Sequence, residues 1–130
     1  MDDMKFVDAL EKSPLAESQK DPRVRQVISA WSACMKKAGY EYPADPYAPG
    51  NDPRFNTPDH RYTPAPGEIE TAVADTRCAI QTDLVGTWFS IETEYQNTVV
   101  RKNQARLKQC RHSRDAVLQK AAAVVKNSST

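Results

Sequence analysis

The 130-residue sequence predicts an all-α protein of one domain, and three observations lead to that fold class. Seven of the nine prolines fall between residues 40 and 66, whereas residues 67–130 contain none. Within that proline-free stretch, apolar side chains recur in steps of three and four, which is the period of a helix. No region alternates apolar and polar residues for long enough to indicate a strand.

The first 20 residues form an N-terminal arm, and a marked helix is predicted at 21–39. In the arm, Phe6, Val7 and Leu10 favour a short amphipathic helix that closes at Ser13 and Pro14, where a second short helix would begin. Asp21 then has the position of an N-cap, with Pro22 in the first turn and Gly39 as the stop. These signals predict a helix over 22–38.

A proline- and tyrosine-rich crossover loop is predicted at 40–66, followed by a long helical segment at 67–126 and a tail at 127–130. A straight helix over 68–126 would be about 90 Å long, too long for a compact domain of this size. Gly86 predicts a kink or break, and a second break at 97–103 would allow a hairpin. The predicted apolar stripe comprises Ile69, Val73, Thr76, Ile80, Leu84, Trp88, Ile91, Tyr95, Val99, Asn103, Leu107, Cys110, Arg114, Val117, Ala121 and Val124.

Charge is balanced overall but unevenly distributed along the chain. The 18 basic and 17 acidic side chains give a formal net charge of +1, which excludes a polycation that coats nucleic acid. Residues 1–95 carry a net charge of −6, and residues 96–130 carry +7. Because one part of the chain is acidic and the other is basic, antiparallel pairing is favoured, either as a hairpin within one chain or as a coiled-coil-like homodimer. We therefore expect the partner to be a second copy of the chain or another protein of the same compartment.

One recurrent pattern is carried by a group of residues that include both tryptophans and two cysteines. It comprises Trp31-Ser32-Ala33-Cys34-Met35, Gly39-Tyr40, Glu68-Ile69, Ala72-Val73-Ala74-Asp75, Cys78, Trp88, Glu92, Tyr95 and Gln96. Over about 24–107 the sequence resembles small exported or lipoprotein-type helical proteins of actinobacteria, which have no assigned activity. The resemblance implies a helical protein of the cell envelope and brings no catalytic residues. Two departures from the pattern are the absent export signal and the additional Cys110.

The three cysteines allow three single pairings. Outside the cytoplasm the expected pair is Cys34 and Cys78, because the pattern carries both and each flanks the proline-rich loop on a marked helix. Cys110 would then be free or would bridge two chains. The alternative is a cytosolic protein with three reduced thiols. No apolar run reaches the roughly 18 residues of a membrane span. The cysteine pair and the resemblance favour an extracytoplasmic protein that is secreted or anchored in its full-length form, with a cytoplasmic location left open.

Two groups of side chains are candidate contact surfaces. The loop tyrosines and the two tryptophans form a possible ligand or partner surface, or alternatively staple the loop to the helices, with the indoles as core anchors. Several basic side chains near the C-terminus are possible polyanion contacts, but they surround the helix, so only weak attraction and no specific nucleic-acid binding is expected. The first group is Trp31, Tyr40, Tyr42, Tyr47, Tyr62 and Trp88; the second is Arg101, Lys102, Arg106, Lys108, Arg111 and Arg114.

No motif commits the sequence to a chemistry. Cys110 and His112 are two residues apart on a helix and face about 200° from each other, which does not favour a metal site. The sequence has only four glycines and no phosphate-binding loop, so no catalytic residue, metal or cofactor is predicted. The leading prediction is a non-enzymatic interaction or binding protein of the cell envelope. The alternatives are a small-ligand or metal carrier with a cleft between Trp31, Trp88 and the tyrosine loop, and an enzyme of unrecognised type.

Overall fold

The computed structural model describes residues 2–128, and its regular secondary structure over that range is entirely helical. The all-α prediction is therefore confirmed. The five helices are α1 (Asp3–Lys20), α2 (Pro22–Lys37), α3 (Glu68–Thr82), α4 (Leu84–Lys102) and α5 (Gln104–Ser128), with a single 3-10 turn at Pro58–His60 in the loop between α2 and α3. Within the described part of the chain, no helix is both long enough and apolar enough to cross a bilayer.

The N-terminal arm is one helix, which corrects the prediction of two short helices separated at Pro14. Pro14 lies inside α1, where it removes one backbone hydrogen bond at a typical cost of about 3 kcal/mol. The Pro14 ring is buried. Leu10, one turn earlier, and Val7, two turns earlier, line the same cavity as Val99 of α4. Packing of this side of α1 therefore offsets the hydrogen bond that proline removes.

Helix α2 begins and ends as its sequence predicts. The Asp21 carboxylate accepts a hydrogen bond from the Arg23 backbone N–H at 2.9 Å, and Pro22 follows in the first turn. Gly39 has φ of +97°, the left-handed conformation that ends a helix, and the Tyr40 N–H donates to the Met35 carbonyl at 2.9 Å. The prediction of a helix over 22–38 is thus confirmed to within one residue.

The long helical segment is three helices, separated at Asp83 and Asn103. Asp83 adopts a left-handed conformation with φ of 53°, three residues before the predicted break at Gly86. Gly86 itself is helical, and a Cβ atom there would collide with the Asp83 carboxylate, so this glycine makes room for the side chain at the break. The second break lies in the predicted range 97–103. Of the predicted tail 127–130, residues 127 and 128 belong to α5 and residues 129 and 130 lie outside the described residues.

The sequence analysis treats the chain as one helical domain, whereas the contacts divide it into two compact units. We call Glu17–Glu92 the disulfide unit, and Met1–Ala16 together with Thr93–Thr130 the terminal unit. The disulfide unit contains the buried apolar residues Val24, Val27, Ile28, Trp31, Met35, Ala65, Cys78, Leu84 and Ile91. In the described part of the terminal unit Pro14 is the one buried residue, so most of its apolar side chains retain contact with solvent.

Helix α3 packs against α2 with the side opposite to its predicted apolar stripe. Thr71 and Cys78 are buried on the inner side, whereas Ile69, Val73 and Ile80 are exposed. The hydroxyl of Thr71 donates to the Gly67 carbonyl at 2.8 Å, so its burial leaves no unpaired group. The period of the stripe is helical as predicted, but within α3 the stripe faces solvent instead of the core.

Candidate interaction surface

A disulfide joins Cys34 of α2 to Cys78 of α3, with the two Cα atoms 5.7 Å apart. This is the predicted pair. The bond attaches the inner side of α3 to α2 and closes a loop of 44 residues that includes all of the proline-rich segment. Cys110 is the free cysteine; burial, followed by the negative charge of Asp3, raises the pKa of its thiol.

The two tryptophans have different environments. Trp31 is fully buried, and its indole N–H donates to the Asp75 carboxylate at 2.9 Å. Trp31 is therefore a core anchor, and it does not belong to a contact surface. Trp88 is half-buried, and its N–H donates to the Ser18 hydroxyl at 2.9 Å while the Tyr47 ring packs edge-on against it at 6.2 Å.

The loop is held in place by a polar network around Asp52. The Tyr42 hydroxyl donates to the buried Asp52 carboxylate at 2.7 Å, and Arg54 donates to the same carboxylate oxygen at 2.7 Å. The Ser32 hydroxyl of α2 donates to the Tyr42 carbonyl at 2.8 Å. These contacts agree with the alternative in which the loop packs against the helices. Hydrogen bonds from Arg54 and Tyr42 hold the pKa of the Asp52 carboxyl well below its ordinary value of 3.8.

We expect the contribution of Asp52 to stability to depend on pH in acid. Because its pKa is lower in the folded than in the unfolded chain, the contribution is complete above about pH 4 and declines as the pH falls further. The difference in free energy of unfolding between the native chain and Asp52→Asn should therefore be constant from pH 7 to 5 and shrink by pH 3. Urea denaturation at each pH measures it, and a difference that stays constant down to pH 3 would contradict the network.

The six aromatic residues predicted as one contact surface do not form one. Tyr62 is almost fully exposed and Tyr40 is half-buried, whereas Trp31 is sealed in the core. The cavity beside Tyr42 has a volume of about 540 Å³ and is lined by polar and small residues of α2 and the loop, with neither indole in its wall. Among the described residues, no three acidic, histidine or cysteine side chains gather as metal ligands would.

The predicted polyanion contacts lie on α4 and α5, and some of them already have partners within the terminal unit. Arg106 forms an ion pair with Asp3 at 2.6 Å and lies over the Phe6 ring, 5.2 Å from its centre. Arg114 pairs with Asp115 at 3.1 Å. Helix α1 is thus the acidic partner of the first turns of α5. Arg101 and Lys102 end α4, and Lys108 and Arg111 lie exposed on α5.

An open cavity of about 600 Å³ lies between α1 and α5 in the terminal unit. Acidic residues line its α1 side and basic residues line its α5 side, with apolar residues between them. Leu107 and Cys110 form the α5 part of the apolar floor, and both are half-buried. The acidic lining residues are Asp3, Asp8 and Glu11, and the basic ones are Arg111 and Arg114.

The apolar stripe of α5 continues beyond α1 without cover. Every described residue from 111 to 128 is exposed, and we call this part of the helix the α5 extension. At 100° per residue, Val117, Ala121 and Val124 fall on the same side of the helix as Leu107 and Cys110. Val117 and Val124 keep 65% and 68% of their surface exposed. The predicted stripe is therefore partly covered over the first turns of α5 and exposed over the rest.

Comparison with protein families, curated proteins and solved structures finds no match to this chain.

Proposed function

We propose that the chain is a non-enzymatic, extracytoplasmic interaction protein of the cell envelope that binds an acidic amphipathic helix of a partner along the α5 extension. One observation carries the proposal. The apolar stripe of α5 is half-buried beneath acidic α1 over its first turns and then continues, in phase, over the exposed residues 111–128. The extension is about 27 Å long, sufficient for five turns of a partner helix.

Helix α1 indicates the chemistry of the partner, because it occupies the first part of the same stripe. It places Asp3 against Arg106 and packs Phe6 beneath the same guanidinium. Residues 111–128 carry four basic side chains, Arg111, Arg114, Lys120 and Lys126, and one acid, Asp115, which pairs with Arg114. A partner helix with acidic side chains beside an apolar stripe would match both the basic charge and the apolar stripe of this surface.

The location outside the cytoplasm is supported by the disulfide. Cytosolic thiols are kept reduced, whereas bonds such as Cys34–Cys78 persist in oxidising compartments. The non-enzymatic part of the proposal rests on the sequence, which contains no phosphate-binding loop or other motif of a specific reaction. A carrier function remains the alternative, and a ligand that raises the melting temperature in a thermal-shift screen would favour it.

The test uses matched pairs of substitutions on opposite sides of the α5 extension. Val117→Glu with Val124→Glu places two acids on the stripe, whereas His112→Glu with Gln119→Glu places the same charge at the same spacing on the far side. The probe is a synthetic peptide with the sequence of residues 2–20, compared with one whose acids are replaced by lysine. We expect the stripe pair to weaken binding of the acidic peptide at least about 10-fold, because two apolar contacts are lost, and the far-side pair to weaken it less.

Amide chemical shifts in ¹⁵N spectra should locate the bound peptide on residues 111–128, and circular dichroism should show that each variant keeps its helices. The proposal is contradicted if the lysine peptide binds equally well or if both variants lose affinity equally. Binding to vesicles of anionic phospholipid, with none to the acidic peptide, would replace the proposed partner with a membrane surface.

A further inference from the structure

The outer side of α3 is an apolar face that remains exposed in the part of the chain that the structure describes. Ile69, Val73 and Ile80 are 59%, 44% and 75% exposed, and Thr76 lies between Val73 and Ile80 on the same side. The Thr76 hydroxyl donates to the Ala72 carbonyl at 2.9 Å, which leaves its methyl group to the surface. We call Ile69, Val73, Thr76 and Ile80 the α3 seam.

The spacing of the α3 seam is that of a coiled-coil interface. Its successive steps of four, three and four residues place the four side chains at a and d positions of a heptad. On one side of the seam lie Glu70 and Arg77, and on the other lie Ala72 and Ala79. Neither Glu70 nor Arg77 has an ion-pair partner among the described residues.

We propose that the α3 seam binds the α3 seam of a second copy in an antiparallel, two-fold symmetric pair. In this register Ile69 of one copy lies opposite Ile80 of the other, and Val73 lies opposite Thr76. The same register brings Glu70 of each copy beside Arg77 of the other, so the dimer contains two Glu70–Arg77 ion pairs. A parallel arrangement would instead place like charges at the same height along the two helices.

The other side of the α3 seam also fits this pairing. Ala72 of each copy lies beside Ala79 of the other, and these small side chains allow the helix axes to approach closely. The disulfide and the Trp31–Asp75 hydrogen bond hold α3 from the opposite side, so the seam is presented by an anchored helix. The charge complementarity and the shape of α3 thus both indicate a second copy as the occupant.

The small size of the α3 seam limits the affinity of the proposed dimer. Helix α3 has 15 residues and is about 22 Å long, so two copies would bury less than the roughly 1,200 Å² of a standard stable interface. We therefore expect a dimer that dissociates on dilution, with a dissociation constant in the micromolar range. This proposal is independent of the α5 extension, which lies in the other unit.

The test is a charge swap measured by sedimentation equilibrium over a concentration series, in a Cys110→Ser background that excludes cross-linking by the free thiol. Glu70→Arg alone and Arg77→Glu alone each create two like-charge contacts and should raise the dissociation constant at least 10-fold. The double swap Glu70→Arg with Arg77→Glu restores opposite charges and should return it to within about 3-fold of the native chain. Val73→Glu should give a monomer.

Rescue by the double swap cannot result from a folding defect, because it would require two destabilising changes to cancel. Three results would overturn the proposal: a native chain that is monomeric at millimolar concentration, single swaps that dimerise as well as the native chain, or a double swap that does not recover. A dimer abolished by Val117→Glu with Val124→Glu but unaffected by the α3 variants would assign self-association to α5 instead.

Discussion

Replacement of both Cys34 and Cys78 by serine is expected to lower the free energy of unfolding by about 4 kcal/mol. The bond closes a loop of 44 residues, and in the loop-entropy model a loop of that length restricts the unfolded chain by this amount. A small domain has only about 5–15 kcal/mol of stability in total, so the loss is a large fraction of it. Urea denaturation followed by circular dichroism at 222 nm measures the change.

Two controls separate the cross-link from the chemistry of the thiols. Cys110→Ser removes a sulfhydryl without removing a bond, and it should change the free energy of unfolding by less than about 1 kcal/mol because Cys110 is only half-buried. The native chain with its disulfide reduced should match the double serine variant. If reduced and oxidised native chains unfold at the same urea concentration, the bond does not constrain the unfolded chain and the prediction is wrong.

The elements that sequence predicted well are those fixed by local signals. Asp21, Pro22 and Gly39 each act on the backbone within a turn of their own position, and they place α2 correctly. The crowded prolines of the loop exclude a long helix there by the same local mechanism. The Cys34–Cys78 pair was identifiable because both cysteines flank this loop.

The side of a helix that is covered is not a local property, and here the sequence prediction failed. The apolar period identified Ile69, Val73 and Ile80 as one side of α3, but the disulfide at Cys78 attaches the opposite side to α2. Periodicity shows that an apolar side exists and cannot show whether the same chain or another covers it. Pro14 is a similar case, because a buried ring offsets a lost hydrogen bond only when distant residues pack on it.

The choice between core and contact surface for the aromatic residues also depends on distant contacts. Aromatic residues near prolines suggest a surface, but the partner of Trp31 is Asp75, which is 44 residues away and on another helix. No spacing rule in the sequence links a tryptophan to such a distant acceptor. In the same way, the acidic residue that pairs with Arg106 is Asp3 of α1, and a net charge of −6 spread over residues 1–95 does not single out that residue.

Trp31→Ala is expected to destabilise the chain by about 3–5 kcal/mol. The side chain is fully buried in the core of the disulfide unit, so its removal leaves a cavity and also leaves the Asp75 carboxylate without its indole donor. Trp88→Ala should cost less, because Trp88 is half-buried. Each variant keeps one tryptophan, so fluorescence and circular dichroism both follow its unfolding in urea.

Trp31→Phe divides the effect of Trp31→Ala into its two causes. Phenylalanine retains most of the apolar volume but has no N–H, so its cost reports chiefly the unpaired Asp75 carboxylate. Because Asp75 is half-buried and water can reach it, we expect this cost to be at most about 1–3 kcal/mol. Asp75→Ala combined with Trp31→Phe removes the donor and the acceptor together, and we expect it to be less destabilising than the sum of the single changes. If Trp31→Ala costs less than about 1 kcal/mol, the indole is not packed in the core and belongs to the contact surface that the sequence alone predicted.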